Sequence, residues 1–426
     1  MREILNTQLD ERYYSIKHKS GLTVYVMPKE GYKSCCAVFG TKYGSIDTVF
    51  RKDRDEEYTA VPEGIAHFLE HKLFESEELD AFTRYAQTGA SANAYTSFDK
   101  TCYYFTCTDN FEKSLEILVD FVTSPYFTEK TVEKEQGIIA QEIKMYDDAP
   151  GWRVFFNLLG TLYHNHPVKI DIAGTTDSIR KIDKDLLYKC YNTFYNLRNM
   201  VLCVAGNVTP EQVMGVVDRL ITEEAPPCSL ERKMPDEPSS VVTSLVTAEL
   251  DVKAPVFAFG YKDECDGEKT LKEMLEMQVL LEAVAGTSSE LYKRLFDMKL
   301  INDSFDFEYF CGNGYASILF QGESTNPEAV AQEIKAEIEK LQKKGIDEQA
   351  FESARKLHYG RAIMNLNDVE HLANELVSCH FEGSGLFEDI EIYRSMTLGA
   401  VQKRLESAFF PDRTALSIVK PIETEE

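Results

Sequence analysis

The 426 residues carry 46 basic and 71 acidic side chains, a formal net charge of -25, with 43% hydrophobic and 27% charged residues. That balance describes a soluble globular chain whose field repels nucleic acid and anionic membrane surfaces, so neither is an expected partner. No stretch approaches eighteen uninterrupted apolar residues, and Met1 to Asp10 lacks the apolar core of a secretion signal; the ten cysteines show neither a disulfide framework nor a CxxC pair, so a cytoplasmic chain with reduced thiols is expected.

In chain order, Leu22 to Met27 and Cys35 to Gly40 read as a strand pair. The next informative stretch is Gly64-Ile-Ala-His-Phe-Leu-Glu-His-Lys-Leu-Phe74, with a helical pattern. Positions four apart on a helix lie one above the other, so His67 and His71 can offer two imidazoles to one metal ion. Glu70 borders that face, where a carboxylate can take a proton from water instead of ligating the metal. The order His-x-x-Glu-His, the inverse of His-Glu-x-x-His, is the inverzincin zinc signature. The same residues also suit an amphipathic helix that buries Ile65, Phe68, Leu69, Leu73 and Phe74.

Ser91 to Ser97 and Cys102 to Cys107 form a second alternating strand pair, with the two cysteines read as core residues. Catalytic zinc takes three protein ligands and keeps one position open, so two histidines are not enough. The third is sought on a helix from Thr128, its N-cap, to Tyr146, ended by the turn Asp147-Asp148-Ala149-Pro150-Gly151. Glu135 and Glu142 lie two turns apart on one face, with Ile138 and Ile139 between them. Carboxylates on an apolar stripe are costly unless a cation meets them. On this stretch alone, two solvated glutamates on an acidic helix fit equally well.

Farther on, Tyr163-His-Asn-His-Pro-Val-Lys-Ile-Asp-Ile-Ala-Gly174 places His164 and His166 on a loop, where a hydrogen-bonding role is expected instead of ligation. Met200 to Gly206 closes the first half as a strand. Pro226 to Ser240 is polar, proline-bearing and aperiodic, and reads as a linker between domains 1–225 and 241–426. The second half repeats the order of elements: Val241 to Leu250 with Pro255 to Tyr261, a helix near Leu271 to Val284, Ser304 to Phe310 with Tyr315 to Gly322, and a closing strand, Thr414 to Val419. A duplicated α+β domain fits these runs better than alternating βαβ units.

On His67-Phe-Leu-Glu-His71, on the glutamate pair, and on Gly89 to Ser97 followed by Thr101 to Cys107, the chain resembles the insulinase and mitochondrial-processing-peptidase family of zinc peptidases over nearly its whole length. The resemblance implies two tandem related α+β domains, each a mixed sheet with helices packed on one side. It implies Zn2+ on His67, His71 and Glu142, with Glu70 as the catalytic base and Glu135 supporting the site. It further implies that the Asn93-Ala-Tyr-Thr-Ser97 segment is an edge strand to which a substrate peptide adds, with Asn93, Ala94 and Tyr95 as contacts. A plain hairpin would show the same alternation. A narrower likeness, through His67 to Glu75, Ser91 to Phe98 and Pro125 to Glu135, is to bacterial insulinase-type proteins associated with aminopentanol modification of elongation factor P.

One departure bears on mechanism. Many active members supply, from the second half, an arginine and then a tyrosine seven residues later that stabilise the developing oxyanion. Aligned on Ser289 to Ser304, those places hold Phe296 and Asp303. Phenylalanine donates no hydrogen bond, and an ionised aspartate repels an oxyanion. Arg294 and Tyr292 are nearby in the reverse order. The expectation is a zinc metalloendopeptidase of peptides or unfolded segments, dimeric, with a paralogous subunit supplying the missing pair. Two other readings stay open: a peptide-binding or assembly subunit that does no chemistry, and a zinc lyase like the S-ribosylhomocysteine lyases, which take a cysteine as third ligand.

Overall fold

The computed structural model describes residues 1–422 apart from 54, 78, 265 and 266. The strands are β1 (Arg2–Asn6), β2 (Glu11–Lys17), β3 (Thr23–Pro28), β4 (Cys35–Thr41), β5 (Val49–Lys52), β6 (Thr59–Ala60), β7 (Ser91–Thr96), β8 (Thr101–Cys107), β9 (Met200–Gly206), β10 (Leu230–Arg232), β11 (Leu245–Leu250), β12 (Val256–Lys262), β13 (Asp306–Gly312), β14 (Tyr315–Glu323) and β15 (Thr414–Pro421). The helices are α1 (Ile65–Leu73), α2 (Ala81–Ala86), α3 (Phe111–Thr123), α4 (Glu129–Asp147), α5 (Pro150–Leu162), α6 (Thr176–Ile179), α7 (Lys184–Phe194), α8 (Pro210–Leu220), α9 (Leu271–Ala285), α10 (Glu290–Asp297), α11 (Pro327–Lys344), α12 (Glu348–Asn365), α13 (Val369–Glu382), α14 (Glu388–Ser395) and α15 (Leu398–Ala408).

These elements form two compact units. The first holds Met1–Ile143, Asp171–Lys233 and Met364–Phe387; the second holds Lys144–Ile170, Met234–Ile363 and Glu388–Glu426. In the first, the main sheet runs β1-β2-β3-β9-β4-β8-β7, with β3 and β9 parallel and the other neighbours antiparallel. The second sheet runs β11-β15-β12-β14-β13, again with the closing strand parallel to the first. Five strands thus repeat in order and direction, and the duplicated α+β fold expected from the sequence is present. Among the described residues the hairpin β1–β2 has no counterpart in the second sheet.

Every residue of β4 and β9 is buried, as near-continuous apolar strands covered on both faces must be. On one face of the first sheet, Tyr103 meets Phe74 at the end of α1 and Phe121 of α3, with ring centroids 5.9 and 5.8 Å away. On the other face lies α13. Gly40 makes room for it, since an added Cβ would sit 2.8 Å from Val377 and 3.4 Å from Phe381. In the second sheet Gly260 does the same for α5, with Leu162 and Leu158 at 3.0 and 3.3 Å. The two glycines are register equivalents, each paired with the second residue of its closing strand, Val201 and Ala415.

Each sheet is therefore covered on a second face by a helix encoded in the other half of the sequence. The helices are not confined to one side, and the compact units differ from the linear division into 1–225 and 241–426. The segment Pro226 to Ser240 is also no free linker. Arg232 in β10 donates from Nε to buried Asp47 Oδ1 at 2.6 Å. Glu237 accepts from the backbone N–H groups of His164, Asn165 and His166 (2.8, 2.7 and 2.8 Å) and from Lys262 Nζ at 2.5 Å.

Candidate metal site

The helix that carries the pentad begins at Gly64, whose φ of 84° lies in the left-handed region. A Cβ there would come 2.4 Å from the Ala173 carbonyl oxygen, so glycine is what lets α1 start against the turn at 171–174. From that start α1 presents His67, Glu70 and His71. Across from it runs α4, whose first turn is capped by Thr128 Oγ1 accepting from Thr131 N–H at 3.2 Å. Ile139 and Ile143 bury α4, whereas Ile138 stays 43% exposed. Glu135 is buried with that stripe and Glu142 lies at its edge.

His67 Nε2 stands 3.7 Å from Glu142 Oε1, and His71 Nε2 stands 3.4 Å from Glu142 Oε2. His71 donates from Nδ1 to Glu135 Oε1 at 3.0 Å, which leaves its Nε2 lone pair aimed at Glu142. Ligand atoms from His67, His71 and Glu142 all lie within 4.8 Å of one another, and among the described residues no other set of three such groups does so. Glu70 is 9% exposed and accepts from Thr96 Oγ1 at 2.8 Å.

The electrostatics match that geometry. Burial, and then His71, pushes His67 down to about 3, so its imidazole is neutral and able to ligate. Burial alone would lower His71 as well, but the Glu135 hydrogen bond and the charges of Glu70, Glu142 and Glu135 hold it above the ordinary value. Burial raises Glu70, with His71 and Thr96 acting against it. A carboxylate moved toward neutrality in this way suits general-base work near pH 7.

The donor set fits zinc. Each imidazole Nε2 stands 3.4 to 3.7 Å from an oxygen of the Glu142 carboxylate, and one ligand atom of each group lies within 4.8 Å of the others. Bonds of about 2.1 Å in tetrahedral geometry would put such ligand atoms about 3.4 Å apart. His67 Nε2 is the ring nitrogen that faces Glu142, whereas its Nδ1 is buried without a hydrogen-bond partner among the described residues. The third group beside the two imidazoles is a carboxylate, not the cysteine a lyase would use.

The β7 segment is an edge strand, last in its sheet. Alternation divides the expected contacts. Ala94 lies on the face of Thr96, toward Glu70, whereas Asn93 and Tyr95 lie on the opposite face, where Tyr95 donates to Asn374 Oδ1 at 2.9 Å. Thr96 itself escaped the sequence reading, although the period of two from Ala94 pointed to it. His166 is engaged as a structural group, its Nε2 2.9 Å from the Asn313 carbonyl and its Nδ1 accepting from Val168 N–H at 3.1 Å. Phe296 is 52% exposed, stacked on Tyr292, and Arg294 is held by Glu333 and Glu337 at 2.8 and 2.9 Å. Arg294 is thus already committed as a structural cation.

Comparisons with known proteins agree with this fold. The family model described as Insulinase (Peptidase family M16) matches residues 56–176, and Peptidase M16 inactive domain matches residues 181–357. A relative in Bacillus subtilis (strain 168), the uncharacterized zinc protease YmfH, is 40% identical over 422 residues, covering 97% of this chain and 98% of its own. The crystal structure of an M16-like peptidase from Alicyclobacillus acidocaldarius superposes with a TM-score of 0.93 at 37% identity, covering 96% of this chain and 98% of that one. A protease from Helicobacter pylori shares the fold, with a TM-score of 0.82 at 22% identity over 96% of this chain and 100% of its own.

The chain belongs to the insulinase (M16) family of peptidases, a hydrolase family whose relatives here are named zinc proteases. The inactive-domain match begins after the metal pentad and falls mostly on the second half. The narrower likeness to proteins associated with elongation factor P is not carried by these comparisons. No helix among the described residues is long and apolar enough to cross a membrane.

Proposed function

We propose that this chain is a zinc metalloendopeptidase of peptides and unfolded segments, and the zinc-bearing subunit of a pair. The observation that carries the reading is the convergence of His67, His71 and Glu142 beside a buried Glu70 that Thr96 holds by one oxygen. Zinc bound by the three residues supplies the Lewis acid that polarises a scissile carbonyl and acidifies water. Glu70 takes the proton of the attacking water and passes it to the departing amide nitrogen. Glu135 fixes the His71 ring through Nδ1. The outer edge of β7 offers main-chain hydrogen bonds to an extended peptide, which would take the Ala94 N–H from Asn93 Oδ1.

The place for a partner follows from Phe296 and Asp303. Loss of an oxyanion donor typically costs about 100- to 1000-fold in turnover, so a subunit bearing the arginine and tyrosine would restore what this chain lacks. The test is hydrolysis of a quenched-fluorescent peptide mixture by the zinc-loaded chain, alone and with a co-expressed paralogue, against Glu70→Gln as blank. Turnover that rises on association supports the pair. Full turnover by the chain alone removes the need for a partner, and none in either state favours a peptide-binding subunit without chemistry.

A further inference from the structure

The second unit contains a cleft of about 610 Å³ that the peptidase reading leaves unused. Its walls are α9, the edge strand β13 and α12, which hold in the second repeat the places of α1, β7 and α4 in the first. Strand register makes the correspondence specific. Counted from the closing strands through β12 and β14, Phe307 and Tyr309 stand where β7 has Ala94 and Thr96. Small residues beside the metal ligands are thus replaced by aromatic rings, in a cleft that Asp306 and Glu308 also line.

Two polar groups in its wall make no hydrogen bond through the atoms that face each other, although Glu282 is ion-paired with Arg361. Glu282 of α9 is 9% exposed, and its carboxylate accepts no hydrogen bond from the described residues. Its neighbours are Arg361 Nη1 at 3.7 Å and His358 Nε2 at 3.9 Å, both beyond hydrogen-bond reach. His358 Nε2 is buried and unpartnered. The hydrogen bond of this ring goes to the Gln278 backbone, so Nδ1 carries the proton and Nε2 presents a lone pair. Burial, then Arg361, pushes His358 down to about 4, which keeps the ring neutral.

A carboxylate and an imidazole lone pair, 3.9 Å apart with no donor between them, form a costly arrangement unless a donor arrives. An anion would meet Glu282, and a metal ion would lack a third protein ligand. A primary ammonium has three donors and a charge, and one nitrogen can reach both acceptors at about 2.8 Å. Its alkyl chain would lie on Phe307 and Tyr309, where the rings attract the cation. Arg361, exposed at the mouth, balances Glu282 until the ligand enters.

We propose that this cleft binds a primary alkylammonium group, with Glu282 and His358 taking its N–H donors and the aromatic floor taking its chain. A lysine side chain, a peptide amino terminus and a free alkylamine all present that group. Calorimetric titration of the full chain with n-pentylamine and n-pentanol tests it without reading zinc or turnover. The amine should bind at least tenfold more tightly than the alcohol, and Glu282→Gln should weaken it about 10- to 100-fold. Competition by Nα-acetyl-lysine methylamide or by a lysine-free tripeptide identifies the source, and failure of both assigns a free amine. Equal binding of amine and alcohol, or no amine binding, by the unaltered protein overturns the proposal, and so does loss of amine binding in Arg361→Ala.

Discussion

Lys262→Met is the sharpest test of how the second unit is held together. The Lys262 ammonium is fully buried and donates to Glu237 Oε1 (2.5 Å) and to the carbonyls of Leu162 (2.8 Å), Pro238 (2.7 Å) and Ser240 (3.2 Å). Methionine keeps the length of the side chain and removes the charge. Glu237, 4% exposed on its side chain, would be left with three backbone N–H donors and no cation. Breaking one side of a buried pair costs about 3–5 kcal/mol, and the remaining donors place the expected loss near 3 kcal/mol. The double variant Lys262→Met/Glu237→Gln, which removes both charges, should regain at least about 1 kcal/mol.

Urea denaturation at pH 7 reads both values, and a pH series adds a check of sign. Burial pushes Glu237 up, but Lys262 and the three amides outweigh it and hold the carboxyl below its ordinary value. Its contribution is therefore complete above the unfolded value of about 4.3 and is lost as pH falls through the lower folded value. Without Lys262 the carboxyl takes its proton at higher pH, so the gap between wild type and variant should narrow between pH 7 and 4. A loss below about 1 kcal/mol, or a double variant no more stable than the single, would refute the buried-charge account.

Glu142→Ala should lose zinc on dialysis while Glu70→Gln and each cysteine variant retain it, as metal analysis would show; retention by Glu142→Ala removes that residue from the ligand set. Thr96→Val, which takes one hydrogen bond from a buried carboxylate, should lower kcat/KM of the active assembly about tenfold with zinc content unchanged. Gly40→Ala should destabilise by about 1–3 kcal/mol and Gly260→Ala by less, because the nearest side-chain carbons lie 2.8 and 3.0 Å from the added methyl; thermal melting that reverses this order would show that the two helices are seated differently.

The parts of the fold legible in the sequence are those whose period is local. The β4, β8, β9, β12 and β14 strands stand out as apolar or alternating runs, and the metal pentad is visible because helical spacing alone aligns His67 with His71. The Arg2 to Lys17 hairpin was not legible, since its exposed, charged residues mimic a polar terminus. Nor was the partner of α5 or α13, because an amphipathic face states that something covers it and not what. Pro226 to Ser240 misled for a related reason: Glu237 and Arg232 look solvated in composition, and only tertiary placement makes them the partners of buried Lys262 and Asp47. The role of Glu142 needed the family likeness, because a seven-residue interval of glutamates recurs on any acidic helix.

The borrowed helices also set an order of assembly during synthesis. When β9 has left the ribosome, the first sheet has all seven of its strands, yet the face that holds Gly40 and Cys102 stays bare until Val369–Glu382 emerges. The nascent chain must carry that exposed apolar face through the translation of most of the second half. This is a long-range closure of the kind that slows folding and invites aggregation. A pause or truncation before residue 369 would thus release the complete metal pentad and both glutamates on a unit that lacks its last covering layer.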